Sequence, residues 1–225
     1  LRVKTFFLLS LFFLFHGQGF AKAFTAQALD SGALYRVVGF AASQQGVAWD
    51  DEPAVAAVAR SLNVEFIASN LGVRVLYLGS DVTDEVRSVQ GAEGASAVAA
   101  LPSVRDALLS RQRELAVAPG LVADGRDMGT VVFPAAGLKI FLEASALARA
   151  QRRQSQLQLQ DEDVSLPRLL EAIEARDTRD RTRSVSPLVP AQDAVVVDST
   201  DMTADAVFDR VMSLVAKKGI VHCDD

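Results

Sequence analysis

Three short apolar runs, at 121–123, 138–142 and 194–197, each follow turn residues, and long helical stretches at 146–160 and 166–183 stand between the second and the third. Another such stretch, at about 203–218, closes the series. Continuously apolar runs of this length suit strands buried on both faces. Strands that alternate with helices of this length build a parallel sheet with helices on both sides. The pattern predicts an α/β fold. One stretch breaks it: two β-rich runs, 64–68 and 73–78, flank Asn70-Leu71-Gly72, a hairpin signal. Residues 62–100 are therefore expected to form a small β-containing insert. Ahead of it, 53–62 reads as a short helix with Asp50, Asp51 and Glu52 at its start, and 103–115 reads as a helix beginning just after Pro102.

A chain of 225 residues suits one domain with such an insert. Its 28 acidic and 23 basic residues leave a net charge of -5, so no global positive field is available to neutralise a nucleic-acid backbone. Cys223 is the single cysteine, which excludes an intrachain disulfide and a cysteine zinc site. His16 and His222 sit in no ligand-spaced cluster. No protein-held metal is expected; any metal should arrive with a nucleotide.

The first residues admit three readings. Arg2 and Lys4 precede the apolar run 6–15, and Ala21-Lys22-Ala23 has the small-x-small form of a cleavage site, so residues 1–23 resemble a signal peptide. The run is shorter than the roughly 20 residues a bilayer span needs. It also suits a buried first strand. Leu rather than Met stands at position 1, which leaves a displaced start of the reading frame as the third.

Chemistry gathers in three places. In Asp30-Ser31-Gly32-Ala33-Leu34-Tyr35-Arg36, a hydroxyl, an aromatic edge and a guanidinium fall within about one helical turn of a cap. Asp124-Gly125-Arg126-Asp127-Met128-Gly129-Thr130 follows a buried strand, so it emerges at the carboxyl end, where open α/β sheets bind ligands. There Arg126 sets a phosphate-binding fork beside the Asp127 carboxylate. Arg176, Asp180 and Arg183 are spaced four and three apart, on one helical face, with Asp177 set to pair with Arg181. Upstream, Arg149, Arg152 and Arg153 share another helix, ahead of the polar tract 154–163. Two arginine-rich helices joined in this way predict a lid over phosphates, at about 146–183.

The strings DSGALYR (30–36), RDALLSRQR (105–113), GLVADGRDMGTVVFP (120–134) and ARDTRDRTRSVSPLVPA (175–191), in this order and spacing, are very similar to those of the bacterial cytidylate kinases. The similarity runs from about residue 28 to 218, within a family-like domain at 28–220 that follows an atypical segment at 1–27. It implies the fold of the phosphate-loop nucleoside monophosphate kinases. It also implies phosphoryl transfer from ATP, carrying Mg2+, to CMP or dCMP, in a cytoplasmic enzyme that is a monomer and uses neither nucleic acid nor membrane. The same resemblance assigns Ser31, Tyr35, Arg36 and Arg105 to the surroundings of the monophosphate. Arg126 and Asp127 fall to its base and sugar side, and Arg176, Asp180 and Arg183 to its ribose and phosphate from the lid. Arg152 and Arg153 fall to the face that closes on ATP. Catalytic roles are implied for Asp127, Arg176 and Arg183, since phosphoryl transfer depends on positioning and on cancelling charge.

In one respect the chain departs from that family. Its relatives carry a glycine-rich loop ending Gly-Lys-Gly-Thr ahead of the DSG string, and here the nearest trace is Gly17-Gln18-Gly19 followed by Phe20. Loop amides, lysine and hydroxyl would cradle ATP phosphates and magnesium. Two readings follow: a kinase of CMP or dCMP with a damaged donor end, or an inactive CMP-binding protein, exported if residues 1–23 direct it outward.

Overall fold

A computed structural model describes residues 4–9, 27–69, 72–118, 120–158 and 164–219. Strand β1 (Lys4–Leu9) is parallel to two neighbours, β6 (Gly120–Asp124) and β7 (Leu138–Glu143), with Phe6 in register with both Val122 and Leu138. Of the apolar run at 6–15, residues 6–9 therefore lie in a strand paired along both edges. Residues 10–15 fall outside the described residues. With β2 (Gln27–Asp30) and β8 (Val195–Asp198) the sheet order is β2-β6-β1-β7-β8. β7 and β8 also pair in parallel, so the predicted α/β class with a parallel sheet is found.

The chain divides into two units, 1–28 with 117–225, and 29–116. The first holds the sheet. Side chains alternate across a strand, and Leu138, Ile140 and Leu142 point to one face of β7. There they join Val122, Val197 and the Val207, Val211, Leu214 and Val215 stripe of the last helix, at Ala204–Lys217. That helix starts where Thr203 accepts from the Ala206 amide at 3.2 Å. Between β6 and β7 the chain makes a π-helical turn, Met128–Val132. Two more helices of this unit span Ala146–Gln158 and Leu166–Thr182. The second was expected to reach 183, but Arg183 is its extended C-cap.

In the second unit, α1 (Ser31–Gln44) begins where the Asp30 carboxylate accepts from the Ala33 amide at 2.9 Å. It buries Leu34, Val37, Val38 and Ala41 almost completely, each large side chain worth roughly 1.5–3 kcal/mol. α2 (Glu52–Arg60) follows, then strands β3 (Val64–Ser69), β4 (Gly72–Tyr77) and β5 (Ser80–Asp81) in antiparallel order. The two-residue link from β4 to β5, Leu78-Gly79, has φ of 51° and 81°, a hairpin turn with both central residues left-handed. Helices α3 (Thr83–Arg87), α4 (Val89–Val98) and α5 (Pro102–Glu114) complete the unit. α1 and α4 meet at Gly39 and Gly94: a Cβ on Gly39 would stand 2.9 Å from the Gly94 carbonyl carbon. Trp49 seals that contact by donating its indole N–H to the Gly39 carbonyl at 2.9 Å. α5 starts at Pro102 itself rather than after it, the position where proline's missing N–H costs nothing. Leu101 has no capping oxygen, and Glu52 accepts from the Ser103 amide at 2.8 Å instead.

The remaining helices, in chain order, are α6 (Ala146–Gln158), α7 (Leu166–Thr182) and α8 (Ala204–Lys217).

Candidate functional site

Each unit carries part of the residue set that the sequence singles out. In the second, Ser31 opens α1 and donates its hydroxyl to Gln112 Oε1 at 2.7 Å, both groups buried. One turn on, Tyr35 is buried with the Arg105 guanidinium 5.5 Å from its ring centre, a cation–π distance. Arg105, itself only 7% exposed, also donates to the Ala99 carbonyl at 3.0 Å. Ser31, Tyr35 and Arg105 are therefore set by α1 and α5 together. Arg36 donates to the Val86 carbonyl at 2.8 Å, which ties α1 to the end of α3.

Ser96 on α4 escaped the sequence reading. Its hydroxyl is buried and has no hydrogen-bond partner among the described residues. A native buried polar atom in that state asks for a reason, and a bound ligand is one. In sequence Ser96 is one small residue in an alanine-rich helix, with no signal to mark it.

In the first unit the arginines converge on one carboxylate. Arg126 Nε donates to Asp180 Oδ2 at 2.9 Å, Arg176 Nε stands 3.8 Å from the same oxygen, and Arg183 Nη1 is 3.4 Å from Oδ1. Asp180 is buried. Three guanidinium groups around a single buried carboxylate leave a local excess of two positive charges, a setting that suits a phosphate. Arg183 further donates to the Ser186 carbonyl at 2.7 Å, and the Leu188 amide to the Asp180 carbonyl at 2.7 Å. Asp127, 4% exposed, has its backbone oxygen facing the Thr130, Val131 and Val132 amides, so the π-helical turn fixes the residue that follows Arg126.

In the helices expected to act as a lid, one expected charge pair is not found. Asp177 does not pair with Arg181. Arg149 of α6 grips it through both guanidinium nitrogens, Nη1 to Oδ1 at 3.0 Å and Nη2 to Oδ2. The physical reason is burial: Asp177 faces inward while Arg181 is exposed. Arg152 donates to the carbonyls of Ser199, Thr200 and Met202, holding the connection from β8 to α8. Arg153, beside it, is half-buried. Among the described residues no group of three or more His, Cys, Asp or Glu could hold a metal ion, and no helix is long and apolar enough to cross a membrane. Gly17-Gln18-Gly19 lies outside the described residues.

The cytidylate kinase family model matches residues 17–217. A cytidylate kinase of Pseudomonas savastanoi is 54% identical over 194 residues, covering 85% of this chain and 85% of that protein. One from Vibrio parahaemolyticus is 52% identical over 198 residues, 88% of each. One from Pseudomonas aeruginosa is 53% identical over 193 residues, 85% of this chain and 84% of the relative.

Proposed function

This chain belongs to the cytidylate kinase family, and from that premise we propose that it transfers a phosphoryl group from ATP to CMP or dCMP. The observation that carries the acceptor side is Asp180, which gathers Arg126, Arg176 and Arg183. In the transfer a phosphate oxygen of CMP bonds to the γ-phosphorus of ATP while the bond from that phosphorus to the β,γ-bridging oxygen breaks. Little covalent work is asked of the protein. It must hold both phosphates in line and cancel charge on the moving group.

In this reading Arg176 and Arg183 neutralise the phosphates, and Arg126 and Asp127 fix the nucleotide beside them. Ser31, Tyr35, Arg36 and Arg105 surround the monophosphate, and the Ser96 hydroxyl finds its partner on the nucleotide. Residues 146–183 act as the lid of a family-like domain at 28–220, in which 62–100 is the insert. Arg152 serves the ATP side through the 199–202 segment it holds, with Arg153 next to it. Magnesium enters as part of the ATP substrate, and it would lie on the phosphates. The setting proposed is the cytoplasm, with the chain acting as a monomer.

The donor side is where turnover suffers, because the sequence contains no Gly-Lys-Gly-Thr. Removing one preorganised donor costs about 10²–10³ in turnover in other enzymes, and here a lysine and a hydroxyl are missing together. Family membership disfavours the reading as an exported binding protein. Calorimetric titration with CMP, dCMP and AMP tests the proposal. CMP and dCMP should bind and AMP should not, and equal binding of AMP would refute the assignment.

A further inference from the structure

Lys139 is the second residue of β7, at a buried position where an unpaired ammonium would be costly. It is 7% exposed and points to the face of the strand opposite Leu138, Ile140 and Leu142. Its Nζ donates to the Pro134 carbonyl at 2.7 Å and to Asp193 Oδ1 at 2.7 Å. Its stem runs under Gly129, where an added Cβ would stand 3.1 Å from Lys139 Cδ. Lysine at this point meets two segments at once. One is 126–134, with Arg126, Asp127 and the π-helical turn. The other is 183–194, which begins at Arg183 and reaches Asp193 by way of buried Leu188.

We propose that Lys139 is a positioning residue for nucleotide binding, acting through the Arg126–Asp127 segment and the Arg183 segment that it ties together. Asp193 is well exposed, so its carboxylate returns to water when the ammonium is removed, and methionine would fill the space of the lysine stem. What methionine cannot do is hold the end of the π-helical turn and the 191–193 turn to one point. Despite that exposure, the Lys139 hydrogen bond, more than any other influence, holds the Asp193 carboxyl below the usual range. That agrees with a formed pair.

The assignment rests on the acceptor-site reading above, and the test separates the two. CMP affinity is measured by calorimetry for the wild-type chain, K139M, D193A, R126A and the K139M/R126A double variant, with circular dichroism as the check on folding. A misplacement of about 1 Å costs up to ~10²-fold, so K139M should bind CMP ~10- to 100-fold more weakly. D193A, altered at an exposed position, should move the same way by a smaller factor. In the R126A background K139M should lose less than about 3-fold, because residues acting through one another are not additive. If K139M does not fold, D193A decides alone. Wild-type affinity in both single variants, or a K139M loss undiminished in R126A, overturns the assignment. A wild-type chain that does not bind CMP overturns the acceptor-site reading and this assignment with it.

Discussion

Arg149 holds Asp177 by two nearly buried hydrogen bonds, and this pair, not a surface charge pair, joins α6 to α7. Three residues further along α7, Asp180 is held by Arg126, Arg176 and Arg183. Two inward carboxylates thus tie the helix to α6 through Arg149 and to the segment after β6 through Arg126.

Breaking a buried pair on one side leaves the other charge uncompensated, at about 3–5 kcal/mol, whereas removing both is far milder. R149M or D177N alone should lower stability by about 3 kcal/mol, read from urea unfolding. The double variant R149M/D177L should recover most of it. Equal loss in single and double variants would mean that the pair contributes through packing alone.

Charge-assisted hydrogen bonds are worth about 1.5–3 kcal/mol. Arg126→Ala should therefore weaken CMP binding tenfold or more by calorimetry, and lower the unfolding midpoint as well, because buried Asp180 loses its nearest partner. Unchanged affinity would remove Arg126 from the site.

The parallel sheet was legible because residues 121–123, 138–142 and 194–197 are short apolar runs between long polar-faced helices, and local pattern decides such elements. The arginines at 126, 176 and 183 were legible as chemistry from the strings that hold them. Their common partner Asp180 could be placed on their face of α7, but Arg126 lies 54 residues away in the chain, beyond what spacing can show. The Asp177 partner was misread because spacing favours Arg181, while burial favours Arg149. Neither Ser96 nor Lys139 carries any local signal. The third strand β5 escaped because leucine at position 78 is a poor turn residue.

That leucine suggests a stabilising change. A left-handed non-glycine residue costs roughly 1–2 kcal/mol, and Asn-Gly is the pair preferred in such a turn. Leu78→Asn should stabilise the chain by about 1 kcal/mol. The unfolding midpoint in urea should rise while the slope stays constant. No rise would mean that the turn is not strained.

Asp81 gives a pH dependence. Hydrogen bonds from the Thr83 hydroxyl, then from Arg74, lower its pKa from 3.8 to about 2. A folded-state value below the unfolded one contributes stability above pH ~4 that is lost as pH falls toward ~2. Asp81→Asn lacks that contribution, so its melting temperature should fall less steeply between pH 4 and 2 than that of the wild type. Parallel curves would contradict the assignment.

The measurement that bears most directly on the account is CMP-dependent ADP formation by two matched chains. One is the native chain. In the other, residues 10–26 are replaced by a segment carrying Gly-Lys-Gly-Thr between β1 and α1. If the acceptor residues are in place and the donor end limits the rate, the graft should turn over CMP at least ~100-fold faster at equal CMP affinity. A native chain that turns over CMP as fast as the graft would contradict the account, and ATP would then be held by residues other than those of a phosphate loop.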